Sequence, residues 1–193
     1  MTPKPAAPKA YLLTPGAGSD RNQSCLVAVE AACPNLVVER IDFPYRRAGR
    51  KPPDRAPVLL ACVREEAALL AAKAGCDPDQ VVFGGRSMGG RMCSMAIAEG
   101  LPAAGLTLIS YPLHPPGKPD KLRTEHLPAI TVPTLFIHGT RDPFGTPDEL
   151  LGATSTMQCA VTHVWVDNKG HDLKGADQLV ATTIANWITK LSR

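Results

Sequence analysis

Between Gln80 and Met92 the chain reads Gln-Val-Val-Phe-Gly-Gly-Arg-Ser-Met-Gly-Gly-Arg-Met: a short apolar run, a knot of glycines around one serine, then helix-forming residues. This order predicts a strand, a sharp turn and a helix. Gly85, Ser87 and Gly89 fit G-x-S-x-G. In such a turn the serine takes a strained backbone conformation, and Cβ atoms two residues to either side are excluded. The hydroxyl is then held at the C-terminal edge of a sheet, over the first turn of a helix whose free N–H groups favour developing negative charge. A nucleophile suits that place. An ordinary turn is the alternative reading of the same residues.

The rest of the chain repeats strand and helix around this stretch. Ala10 to Thr14 reads as a first strand, followed by the glycine-containing loop Pro15-Gly16-Ala17-Gly18 and a helix from about Asn22 to Ala32. Asn35 to Asp42 gives a second strand, and the Pro-, Gly- and Arg-rich segment from Phe43 to Arg55 reads as an exposed loop whose arginines are candidates for meeting an anionic substrate group. A helix from Val58 to Ala74 ends at Gly75, and another runs from Met88 to Glu99. Strands at Gly105 to Ser110, around Val132 to Gly139 and at Ala160 to Val166 follow, with helices at Pro147 to Thr154 and Ala176 to Leu191. Unbroken alternation predicts an α/β fold, a three-layer α/β/α sandwich around a mostly parallel sheet of about six strands. The connection after Ser110 is too short for a lid domain. The Pro-rich residues 1–9 read as a flexible tail, and 10–193 as a single domain.

Composition narrows the function. The formal net charge of +3 is mild, the basic residues are scattered, and only 5% of residues are aromatic, so no nucleic acid is expected as a partner. No long apolar run or secretion signal is legible, and none of the six cysteines sits in a C-x-x-C pair. A cytoplasmic protein with no membrane association and reduced thiols is the expectation. The histidines lack metal-ligand spacing, and the glycine knot lacks the lysine and hydroxyl of a phosphate-binding loop, so neither metal nor cofactor is expected.

A serine needs a base to take its proton, and a histidine base needs a carboxylate to fix its tautomer. Asp142 and His171 each lie just past a predicted strand, where a parallel sheet brings their loops to the edge that carries Ser87. His138 reads as a packed histidine at a strand end, His163 lies within a strand, and His126 belongs to a polar connector. Asp172 adjoins His171, but neighbouring side chains in a loop tend to diverge. The backbone N–H groups of Met88 and Ala17 are the candidate oxyanion donors. Arg86, Arg91, Tyr111 and His114 are the candidate substrate contacts, and Arg141 also flanks the constellation.

The combined pattern Thr14-Pro15-Gly16-Ala17-Gly18, Gly84-Gly85-Arg86-Ser87-Met88-Gly89-Gly90-Arg91, Tyr111-Pro112-Leu113-His114-Pro115-Pro116-Gly117, His138-Gly139-Thr140-Arg141-Asp142-Pro143-Phe144 and Gly170-His171-Asp172 resembles the compact α/β-hydrolase-like proteins grouped with testis-expressed protein 30. It is more distantly similar to dienelactone hydrolases. The resemblance runs from Tyr11 over nearly the whole chain. It implies an α/β-hydrolase fold trimmed at the N-terminus and the triad Ser87, Asp142, His171. Relatives often carry His-Gly-Ala-Gly in the first loop, where this chain has Pro15 before Gly16. The function expected is that of a serine hydrolase of small esters or thioesters acting on a small-molecule acyl substrate. Two alternatives stay open: a non-catalytic binding or scaffold protein of the same shape, and acyl transfer to an acceptor other than water.

Overall fold

The computed structural model describes residues 7–191. Along the chain, β1 (Ala10–Thr14), α1 (Ser24–Ala32), β2 (Val37–Arg40), α2 (Pro44–Arg47), α3 (Ala56–Ala74), β3 (Val81–Arg86), α4 (Met88–Ala98), β4 (Gly105–Ile109), β5 (Thr134–Gly139), α5 (Pro147–Thr154), β6 (Val161–Val166) and α6 (Asp177–Leu191) follow one another. The six strands form one sheet in the order β2-β1-β3-β4-β5-β6, parallel throughout. Parallel strands need crossovers, and the helices that supply them cover both faces, giving the expected three layers. Of the expected tail, residues 1–6 lie outside the described part. Residues 7–9 are held by hydrogen bonds, with Gln80 Nε2 donating to Ala7 O at 3.2 Å and Lys9 N donating to Gln80 O at 2.9 Å.

Strand alternation divides the core. Leu12, Phe83, Leu106, Leu108 and Phe136 point toward α3, α4 and α5, while Leu13, Val82, Ile109, Leu135 and Ile137 point toward α1 and α6. The central strand carries a deliberate gap. Tyr11 of β1 and Thr107 of β4 reach across Gly84 of β3 and share a fully buried 2.5 Å hydrogen bond, and a Cβ on Gly84 would stand 2.6 Å from the Tyr11 hydroxyl. The expectation of an exposed loop over Phe43 to Arg55 holds for residues 47–53, which are exposed, and is corrected for its start. Phe43 and Tyr45 are fully buried around the short helix α2, so two aromatic side chains anchor a segment whose prolines and arginines read as surface.

Some of the core is polar. The ring of His126 packs on α4 with Nε2 2.7 Å from Ser94 Oγ; that hydroxyl already donates to Arg91 O at 2.8 Å, so the imidazole is the donor. His163 lies between the Phe136 and Trp165 rings and reaches Thr154 Oγ1 at 3.0 Å. Burial disfavours the charged form of both rings. It holds His163 below its ordinary value and, aided by the Arg91 charge, brings His126 down to about 4.

Two stability predictions arise from this packing. Gly152→Ala in α5 meets nothing within 4 Å and is expected to stabilise by about 0.5–1 kcal/mol through propensity and unfolded-state entropy. The same change at Gly89 would bring a Cβ within 2.5 Å of Pro15 O, and a loss of about 1–3 kcal/mol or more is expected, both being read by urea denaturation. For His126 the folded pKa lies below the unfolded one, so the unfolded chain binds more protons between 6.5 and about 4. Stability is therefore full above that window and is lost as pH falls through it. A flatter acid limb is expected in His126→Asn, measured by urea midpoints across the window; an unchanged limb would place the acid sensitivity elsewhere.

Candidate active site

The strand order reverses between β1 and β3, and such a switch point opens a crevice at the carboxyl ends of the strands. Ser87 sits there, in the turn joining β3 to α4. Its N–H still belongs to the sheet, donating to Ile109 O at 2.9 Å, while its carbonyl already accepts the first helical bond, from Arg91 N at 3.0 Å. One residue that serves a strand on one side and a helix on the other is forced to φ 50°, ψ −116°, a conformation costly for any side chain with a Cβ. The bend also presses α4 against β1. A Cβ on Gly85 would lie 2.6 Å from Thr14 O and 2.7 Å from Gly90 N.

Asp142 and His171 arrive from the loops after β5 and β6, which are sewn together by backbone. Thr140 N donates to Val166 O at 3.1 Å, Arg141 N to Lys169 O at 2.9 Å, and Asn168 N to Thr140 Oγ1 at 2.9 Å. Gly139 is required where they touch, since a Cβ there would meet Gly170 O at 2.7 Å. The result is a chain of three side chains. His171 Nε2 is 2.8 Å from Ser87 Oγ, and His171 Nδ1 is 2.8 Å from Asp142 Oδ2 and 3.0 Å from Oδ1. The Asp142 side chain is fully buried, and its Oδ1 also accepts from Phe144 N at 2.9 Å. A carboxylate at Nδ1 puts the ring proton there and leaves the Nε2 lone pair for the serine hydroxyl.

His138 completes the surroundings of the carboxylate. Its Nε2 donates to Gly145 O at 2.8 Å and stands 3.4 Å from Asp142 Oδ2. Burial keeps its pKa below the ordinary value despite the nearby carboxylate, so it is a neutral donor rather than a second base. Asp172 is exposed and its Oδ1 accepts Lys174 N at 3.2 Å, directed into its own loop and away from the imidazole beside it.

Ser87 opens into a cleft of about 390 Å³ lined by Ala17, Arg86, Met88, Arg91, Pro112, Arg123, Phe144 and His171. On the β1 side, Gly16 N points to Gln23 Oε1 at 3.4 Å and Gly18 N to Tyr45 Oη at 3.3 Å. Neither the Ala17 nor the Met88 N–H between and opposite them has an acceptor among the described residues. Two free donors thus flank the serine, Met88 at the positive end of α4. Pro15, where a histidine was expected from the resemblance, leaves the Ala17 N–H free.

The side chains expected to touch substrate are distributed differently. Arg86 and Arg91 line the cleft, but Arg86 donates to His171 O at 2.7 Å and so ties the strand that carries the serine to the loop that carries the histidine. Tyr111 does not line it: the ring is buried and edge-on to Phe136, and its hydroxyl donates to Arg123 O at 2.6 Å. His114 does not line it either, being buried with Nδ1 2.9 Å from Pro115 O and Nε2 3.6 Å from Glu149. Both are drawn inward because the loop after β4 folds onto the core. Arg141 is exposed, and Arg46, Arg47 and Arg50 pair with Asp20, Glu66 and Asp54. Two neighbours have no role assigned from the sequence: Phe144, which ends the motif that begins at His138 and whose ring stacks on His171 with centroids 4.0 Å apart, and Arg123, from the long connection before β5. Among the described residues no group of three or more His, Cys, Asp or Glu side chains gathers as metal ligands would.

A family model described as an alpha/beta hydrolase domain matches residues 7–192. The fold is similar to that of a dienelactone hydrolase from Anabaena variabilis, at 21% identity and TM-score 0.73 over 95% of this chain and 87% of that one. It is also similar to Est1E from Butyrivibrio proteoclasticus, at 14% identity and TM-score 0.76 over 98% of this chain and 90% of that one. A third likeness, at 16% identity and TM-score 0.75 over 97% and 98% of the two chains, is to one of the metagenome-derived lipolytic enzymes LipS and LipT. At these identities the solved structures speak to the shape alone. The family model, matching the chain almost from end to end, says more: the protein belongs to the alpha/beta hydrolase domain family.

Proposed function

We propose that the protein is a serine hydrolase of small carboxylic esters or thioesters, with Ser87 as nucleophile, His171 as general base and acid, and Asp142 as its orienting carboxylate. The observation that carries this reading is the 2.8 Å approach of His171 Nε2 to Ser87 Oγ with Nδ1 held by a buried carboxylate. Ser87 attacks the acyl carbon as its proton passes to His171. The oxyanion that forms takes hydrogen bonds from the Met88 and Ala17 N–H groups. His171 then gives its proton to the leaving alcohol or thiol, and a water activated by the same nitrogen releases the acid from the acyl-enzyme. Phe144 covers one face of the imidazole and limits water there.

Size and setting support small substrates. The cleft volume lies at the lower end of small-molecule sites, and the connection from 110 to 133 is too short to form a separate lid that would shelter a long acyl chain. The narrower kinship with proteins of the testis-expressed protein 30 type belongs to the same proposal. So does a single domain from residue 10 onward acting in the cytoplasm. The cysteines are free, and burial pushes the Cys25 and Cys93 thiols up to about 12, which fits an environment where they stay reduced and inert. No described helix is long and apolar enough to cross a membrane.

Two measurements test the roles. A fluorophosphonate probe is expected to label the protein and to leave Ser87→Ala unlabelled; absence of an adduct on the unmutated chain would favour a binding protein of hydrolase shape. With a 4-nitrophenyl ester of a short acid, His171→Ala is expected to lower kcat by about 10⁴- to 10⁶-fold. Asp142→Asn should cost about 10⁴-fold by stabilising the wrong imidazole tautomer. A fully active His171→Ala would show that another group is the base.

A further inference from the structure

The cleft beside Ser87 has an uncompensated positive wall. Six of the described arginines pair with a carboxylate, as Arg40 does with Glu30 at 2.6 Å and Arg64 with Glu99 at 2.7 Å. Arg91 and Arg123 both line the cleft, and no described Asp or Glu comes within 4.0 Å of either. The Arg91 Nε–H is buried and has no acceptor among the described residues. Arg123 offers one donor to Pro112 O at a long 3.4 Å. The Tyr111 hydroxyl, which donates to the Arg123 carbonyl, is a neutral phenol, held in that form by burial, and supplies no counter-charge. His126, whose charged form burial and the Arg91 charge disfavour, could add only positive charge and is no counter-ion.

Two like charges in a partly desolvated wall, with a buried donor left open, form an unfavourable arrangement unless something completes it. Burial and then the Arg91 charge push the Arg123 guanidinium below its usual range, the direction expected when cations crowd without an anion. The planar array of guanidinium donors is suited to two oxygens of one acidic group. Arg86, the third arginine of the cleft, commits one donor to the His171 carbonyl.

We propose that Arg91 and Arg123 form an anion-binding subsite of the Ser87 cleft, so that the substrate carries an oxyacid group, carboxylate or phosphate, within a few bonds of the ester that is cleaved. The inference rests on the hydrolase reading for the identity of the reacting bond, but not for the binding of the anion. It separates the cleft into two poles: a neutral donor pair at Met88 and Ala17 for the transient oxyanion, and a charged pair for a permanent one. The substrate enters with its orientation fixed by the acid.

Binding can be read without turnover in the Ser87→Ala protein. NMR titration would compare monomethyl glutarate, methyl 3-phosphonopropionate and neutral dimethyl glutarate. An acid-bearing ester is expected to bind about tenfold or more tightly than the neutral one, with the advantage shrinking as salt rises. Arg91→Gln or Arg123→Gln in the same background should reduce the advantage to within about threefold. If Arg91→Gln does not fold, Arg91→Lys, which keeps the charge and loses the fork, should weaken the acid-bearing ester selectively. The tighter of the two acids identifies the oxyacid. Equal affinity for all three esters, or an advantage that survives both glutamine substitutions, overturns the subsite. The two readings fail separately. A wild-type protein that cleaves dimethyl glutarate as fast as its monoacid keeps the hydrolase function and loses the subsite. One that binds the acid through both arginines yet takes no fluorophosphonate keeps the subsite and loses the hydrolase function.

Discussion

Backbone touching backbone at the head of β3 is the constraint on which the rest of the molecule depends. Gly85, Gly89 and Gly90 allow α4 to approach the end of β1 at distances that any side chain would prevent. Because α4 can come so close, Ser87 must turn sharply between its strand bond and its helix bond, and its hydroxyl is lifted clear of both. The same closeness brings the loop after β1 beside the serine, so that Ala17 and Met88 both line its cleft. Sheet order, strained serine and paired donors are consequences of one tight joint.

Charge is distributed with similar economy. The Asp142 carboxylate is out of water but surrounded by donors: the His171 ring, the Phe144 N–H and the nearby neutral His138. A buried carboxylate is tolerable only when satisfied in this way. At the periphery, several arginines and Lys73 find acidic partners across neighbouring elements, the Lys73 Nζ standing 2.8 Å from Glu39. In the cleft, Arg91 and Arg123 stand without such a partner among the described residues.

Much of this was legible in the amino-acid sequence, because the fold rests on local signals that agree with one another. Apolar runs bounded by glycine and proline marked the strands, and Gly75 marked the end of α3, where it takes φ 58°. The meeting of Ser87, Asp142 and His171 could be anticipated since a parallel sheet delivers every strand's outgoing loop to one edge. What could not be read were contacts made by residues with no periodic or spaced partner. Arg123 reaches the cleft from a connector without regular structure, Phe144 stacks through an accident of loop path, and Tyr111 and His114 turn inward because the loop after β4 packs on the core. Gly84 is the instructive case. It looks like part of the turn, yet its lack of a side chain makes room for the Tyr11 and Thr107 hydroxyls to meet across the central strand.

The seam between the loops that follow β5 and β6 has a mechanical corollary. With three hydrogen bonds and a side-chain-free crossing at Gly139 joining them, those two loops make up a single solid block. Thermal jostling therefore moves imidazole and carboxylate in concert, preserving their mutual spacing. Across the gap from that block to the serine, the Arg86 strut supplies a second tie beside the His171 to Ser87 hydrogen bond.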